Sequence, residues 1–357
     1  MAHEELPPIN ITPGAIRFNT DSMKLEYFRI GMEGGSTSSY AGIGTLATGE
    51  WVQLTTTSPD IETGGTRALF AGGTVPGNTA TNRIDYINID TTGNAIDYGD
   101  LGVAGARTQK GALASRTRGV FEGGTNISPG NITSTIEFTT IASTGDTVNF
   151  GTSAVSARAV ANQCSNSTRG LFASGHPTTN RINYITIASE GNSLDFGNLT
   201  ASRYSAMGCG SSTRAIWMGG ANPNSIIDFV TISTLGNAAD FGDLTTAGND
   251  GAACSNSVRG LCAGADSASP YINVIEYITL ATNGNSVDFG DMTVSRNGHR
   301  GAASATRGVF GGGLSSGQLV TIDYVQIMSI GNGIDFGDLT LARSQISACS
   351  NGHGGLG

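Results

Sequence analysis

The chain has 357 residues, 53 of them glycine, with 13% charged residues and a formal net charge of −9. Two lysines, Lys24 and Lys110, among 19 basic residues form no basic stripe, which argues against binding nucleic-acid phosphates. There is no run of about eighteen apolar residues to insert into a membrane. MAHEELPPIN lacks the apolar stretch of a secretory signal, and five cysteines, an odd number, argue against a disulfide framework.

Residues 1–61 stand apart from the remainder of the chain. GAIRFNTDSMKLEYF from Gly14 alternates apolar and polar residues about the turn signal NTDS and predicts a β-hairpin; GEWVQL from Gly49 predicts a further strand, with a Gly-rich insertion between. Gly14, Ile16, Arg17, Asn19, Thr20, Asp21, Lys24, Leu25, Glu26, Tyr27, Glu50, Trp51 and Val52 resemble a small module of bacteriophage tail fibres and other virion proteins. The insertion over 29–48 departs from it. The resemblance implies an attachment segment, with Arg17, Tyr27, Phe28 and Trp51 as assembly residues facing another virion protein or a second copy of the chain.

From residue 62 the chain repeats itself. TRALFAGG, TRGVFEGG, TRGLFASG, TRAIWMGG, VRGLCAGA and TRGVFGGG place Arg67, Arg118, Arg169, Arg214, Arg259 and Arg307 at separations of 51, 51, 45, 45 and 48 residues. Each copy continues with a β-branched and aromatic run such as RIDYINI or TIDYVQI, then a segment such as AIDYGDL or GIDFGDL, then one such as LARSQISACS. Four short strands per repeat, punctuated by glycine and asparagine, predict a blade, and six repeats predict an all-β, six-bladed β-propeller over 62–357. TTTSPDIETGG stands where the first repeat needs a strand, and ARSQISACS from Ala342 supplies it, so the C-terminal strand is expected to close the ring.

A strand ending on a glycine pair, aromatics in the next two strands and an arginine opening the following one resemble the kelch motif. The outer-strand tryptophan common in kelch repeats is Tyr98, Phe150, Phe196, Phe241, Phe289 and Phe336 here, and the glycine pair weakens to Ser174-Gly175 and Gly264-Ala265. The resemblance implies partner binding through the loops after the glycine pair.

Candidate chemistry is sparse. Cys164, Cys209, Cys254 and Cys349 share one phase of the repeat and read as small buried packing residues. His3, His176, His299 and His353 have no metal-ligand spacing, so no metal or cofactor is expected. Asp97/Asp100, Asp240/Asp243, Asp288/Asp291 and Asp335/Asp338 recur in four blades and read as turn caps that pair with the recurrent arginines; calcium is the alternative. Arg107, Arg158, Arg203, Arg296 and Arg343 open successive blades and are expected to link blades through carboxylates or carbonyls, with a ligand-binding ring as the alternative. The loops after the glycine pair vary most and are rich in Asn, Ser and Thr, which makes Asn126, Asn131, His176, Asn222, Asn224, Tyr271 and Gln318 the candidate ligand-binding residues. The expectation is a non-enzymatic virion protein, made in the host cytoplasm, that binds other virion proteins and a host surface glycan or receptor. The alternatives are a capsid-decorating protein, a kelch-type carbohydrate-active enzyme and a cellular adaptor.

Overall fold

The computed structural model describes residues 15–19, 24–30, 49–53, 65–127, 130–154, 163–221, 224–266 and 271–356. The chain folds as two units, Met1–Glu62 and Thr63–Gly357. In the first, Ile16–Asn19 pairs antiparallel with Lys24–Ile30, which pairs antiparallel with Gly49–Gln53. The turn NTDS, from Thr20 on, and the insertion from 31 to 48 lie outside the described residues.

The second unit is a six-bladed β-propeller, each blade a four-stranded antiparallel sheet. Blade 2 is typical: an inner strand Gly111–Ala114, a second strand Arg118–Glu122, a third Thr135–Thr140 and an outer strand Val148–Thr152. Blade 1 takes its inner strand, Ser347–Ser350, from the far end of the chain and pairs it with Arg67–Ala71, so the sheet edge that chain order would leave open is filled.

Within every blade the pairing of third and outer strands shifts at the same place, between Ile84/Asp85, Ile136/Glu137, Ile182/Asn183, Ile227/Asp228, Ile275/Glu276 and Ile322/Asp323. The residue skipped on the outer strand is its aromatic. The bulge turns that ring inward, where Tyr98, Phe150, Phe196, Phe241, Phe289 and Phe336 are buried edge-on to a third-strand ring, as in Tyr86–Tyr98 at 6.0 Å and 75°.

Blades meet through three repeated contacts. Each motif arginine lies over the third-strand ring of its own blade, 4.4 to 5.1 Å from the centroid, and donates to a carbonyl of the next blade. Arg307 reaches Ile89 O at 3.2 Å and so joins blade 6 to blade 1. The turn between third and outer strands of each blade docks on the outer strand before it: Gly145 N–H donates to Tyr98 O at 2.9 Å and Gly93 N–H to Phe336 O at 2.9 Å. A Cβ on Gly99 would lie 2.6 Å from Gly145 O, so only glycine admits this approach.

The third contact is a knob in a hole. The residue five before each motif arginine, or in blade 1 its register equivalent Cys349, packs on the residue just after the arginine in the next blade, and their sizes compensate. Leu113 meets Gly170, Cys349 meets Gly119, Cys209 meets Gly260 and Cys254 meets Gly308. Where alanine replaces the glycine the packing persists, Cys164 with Ala215 and Ala302 with Ala68. All five cysteines are buried and free. A Cβ on Gly170 would sit 2.5 Å from Leu113 Cδ2. Gly170→Ala should therefore destabilise by about 1–3 kcal/mol in urea unfolding, and that cost should vanish in a Leu113→Ala background; an equal cost in both backgrounds would show that the two residues do not compete for one space.

Candidate functional site

Charge is placed inside the blades. Arg107, Arg203, Arg296 and Arg343, each ahead of an inner strand, have fully buried side chains that pair with Glu137, Asp228, Asp323 and Asp85 on the third strand. The bulge aims each carboxylate at its arginine. The same carboxylates accept from the preceding blade, as when Thr340 donates to Asp85 through its N–H at 3.0 Å and its hydroxyl at 2.7 Å. Burial lowers the pKa of these guanidiniums and the facing carboxylates oppose the shift. Removing one partner would strand a buried charge. In blade 5, where Gly248 replaces the arginine, Glu276 accepts from Thr245, Thr246 and Ser286.

Arg107, Arg203, Arg296 and Arg343 thus take carboxylates, and the correction falls on the outer-strand aspartates expected to pair with the recurrent arginines. The carboxylates that meet Arg107, Arg203, Arg296 and Arg343 lie on the third strand, and the buried Arg300 takes Asp250 of the connection before blade 5 at 2.8 Å, whereas the outer-strand Asp97 and Asp195 meet the half-exposed Arg83 and Arg181. The motif arginines take carbonyls and rings, with Arg118 also 3.9 Å from the Glu190 carboxylate. Arg158 lies outside the described residues.

The loops after the glycine pair stand at the same end of every blade as the connections into the inner strands. Bridges Thr74 to Ser344, Thr108 to Thr125 and Asn297 to Leu314 tie the two sets together. Asn126 N–H donates to Asn131 O at 3.1 Å across one loop base. His176 is edge-on to Tyr204, with centroids 5.4 Å apart. Asn224 N–H donates to Gly220 O, Tyr271 pairs with Asp266, and Gln318 bridges Leu314, each within the loop of its own blade. The side-chain oxygens of Asn126 and Asn224 are buried without a hydrogen-bond partner. Asn222 lies outside the described residues, as do the side chains of Tyr27, Phe28 and Trp51; Arg17 is exposed on its strand.

Inner strands of all six blades line an axial channel with Ala, Gly, Ser and Cys, enclosing about 40 Å³, room for a few water molecules. Ser165, Ser255 and Ser350 turn their hydroxyls to the inner strand of the preceding blade, at 2.7, 2.7 and 2.6 Å from its carbonyls. Among the described residues no group of three or more His, Cys, Asp or Glu could hold a metal ion. The sequence reading did not single out the third-strand acids. Their signal was present: an acid between isoleucine and an aromatic in a half-buried strand needs a cation or several hydrogen-bond donors.

One blade breaks the pattern. Glu122 stands where the others have Ala71, Ala173, Met218, Ala263 or Gly311, and Ser153, which donates to it, stands where the others have leucine or methionine. Burial raises the Glu122 pKa to about 7, the Ser153 hydrogen bond opposing. A raised value means that the folded chain binds the proton more tightly than the unfolded one, so this contribution is full below about pH 4.3 and is lost as pH rises through the folded value. In urea unfolding, the wild type should lose stability relative to Glu122→Gln as pH rises over that window; a constant difference would show that Glu122 is not protonated in the fold.

No protein-family model matches the chain, and no curated protein matches it in sequence.

Proposed function

We propose that this chain is a non-enzymatic structural protein of a bacteriophage virion, a kelch-like propeller associated with a tail or fibre. In this reading residues 1–61 attach it to other virion proteins or to further copies, and the loops after the glycine pair meet a host glycan or a neighbouring subunit. The observation that carries the reading is the division between what repeats and what varies. The motif arginines and the aromatics recur in every blade and the buried acids in five, and all are engaged in holding the ring together. What differs from blade to blade is one set of loops at one end, rich in neutral hydrogen-bonding side chains, a composition suited to sugars. The likeness of the N-terminal strands to tail-fibre modules supports a virion setting.

Mass spectrometry of purified particles should find the chain. Exchanging the loops at 125–134 and 266–273 for the short 221–225 version should leave the propeller folded and particles assembled while host adsorption changes. Absence from particles would contradict the virion reading, and turnover of a host polysaccharide that one point substitution abolishes would contradict the non-enzymatic one.

A further inference from the structure

The inner strand of blade 1 does not turn directly into its neighbour, because the chain arrives there from the other end. Asn351 takes the place of that turn: its Oδ1 accepts from Arg67 N–H at 3.0 Å, as Asn166 and Asn256 accept from Arg169 and Arg259 N–H at 2.8 Å in their own blades. The residues after it turn in over the channel and end in a 3-10 turn, Gly354–Leu356, all three residues buried. Gly354 lies against the carbonyls of Asn256 and Gly210 and Gly355 against that of Ser165, with no room for a Cβ on either. Arg116 donates to Leu356 O at 2.5 Å. This short segment thus touches blades 1 to 5 and covers one mouth of the channel.

We propose that His353 latches residues 351–356 in that mouth, and that protonation of its Nδ1 releases them. The ring sits between two groups with fixed roles. Nε2 is 2.9 Å from Ala114 O, and Nδ1 is 3.1 Å from Gly355 N. A carbonyl accepts and a backbone N–H donates, so both bonds form only when Nε2 carries the hydrogen and Nδ1 is bare, the neutral ring in one tautomer. A proton on Nδ1 would set N–H against N–H.

The surroundings oppose that proton further. Arg116, on the blade 2 turn, is the charged group facing the ring among the described residues. Blade 3 offers the Ser165 hydroxyl at 3.3 Å, while the carbonyls of Gly210 and Asn256 in blades 4 and 5 lie against Gly354. The Cys164, Cys209 and Cys254 thiols that line the channel are pushed up by burial and stay neutral. Burial lowers the His353 pKa first and Arg116 adds to it, against the Ala114 hydrogen bond. The seated segment therefore binds fewer protons than the released one. Seating is full above the ordinary histidine value of about 6.5 and weakens about tenfold per pH unit below it until the folded value is reached. Release uncovers the channel mouth and its ring of carbonyls, while Ser347–Ser350 stays paired in blade 1.

Amide hydrogen exchange on the full chain, corrected for intrinsic rates, tests this between about pH 7.5 and about pH 4.5. The peptide spanning 351–357 should open about tenfold more per pH unit below about 6.5, with the second strands of the blades still protected. The blade peptides are the internal reference, because burial, with Arg296 and Arg300 beside it, also lowers the pKa of His299, so its protonation would act on the blades. His353→Gln carries no titrating ring, and its 351–357 peptide should gain no opening in acid beyond that of the blade peptides. The proposal is overturned by a peptide as protected at the acid end as at neutral pH, one open at neutral pH, one that opens only together with the blades, or a His353→Gln chain that keeps the wild-type pH profile.

Discussion

A ring of six sheets has no free end at which a misfit can be absorbed, so each blade must offer the next the same backbone groups at the same distance. The close approach of one blade's turn to the previous blade's outer strand, with glycine on both sides, is the constraint on which the other contacts depend. It brings N–H groups such as Gly145 onto outer-strand carbonyls such as Tyr98 O and gives each outer edge a partner. The outer strand bulges there, the bulge turns an aromatic inward, and on the paired strand it aims an acid at the arginine of the connection that leads into the same blade. Chain ends meet in the same geometry, since Gly93 and Gly337 repeat between blades 1 and 6 what Gly145 and Gly99 do between blades 2 and 1.

Much of this was legible in the sequence because it repeats. The motif arginines, the glycine after the outer-strand aromatic and the cysteines in one phase are visible as periodic residues, and periodicity alone gives strand number and blade number. What did not show was which groups meet. Asp97 and Asp85 are equally regular in sequence, yet the bulge between Ile84 and Asp85 sends Asp85 to the buried Arg343 and leaves Asp97 at the surface. A one-residue shift of register exchanges the faces of a strand, and no spacing announces it. The covering of the channel by residues 351–356 was equally hidden, since it occurs once and depends on two glycines whose neighbours come from distant blades.

The division of labour has its origin in the same geometry. Groups that recur are engaged between or within blades, and a propeller so constrained leaves variation to the loops at one end and to the axial mouth at the other. Asn126, Asn224 and the His176–Tyr204 pair lie at the first, and His353 lies at the second. Loops varied on a rigid ring change what is presented without changing the ring.

Thermal unfolding of a chain ending at Thr340, compared with the full chain, tests the central claim that the ring stands only when closed. The shortened chain lacks Arg343, the inner strand of blade 1 and the segment over the channel, and so leaves Asp85 unpaired and a sheet edge open. A broad, early loss of structure in place of one cooperative transition is the predicted result; an unchanged midpoint and an equally sharp transition would contradict it.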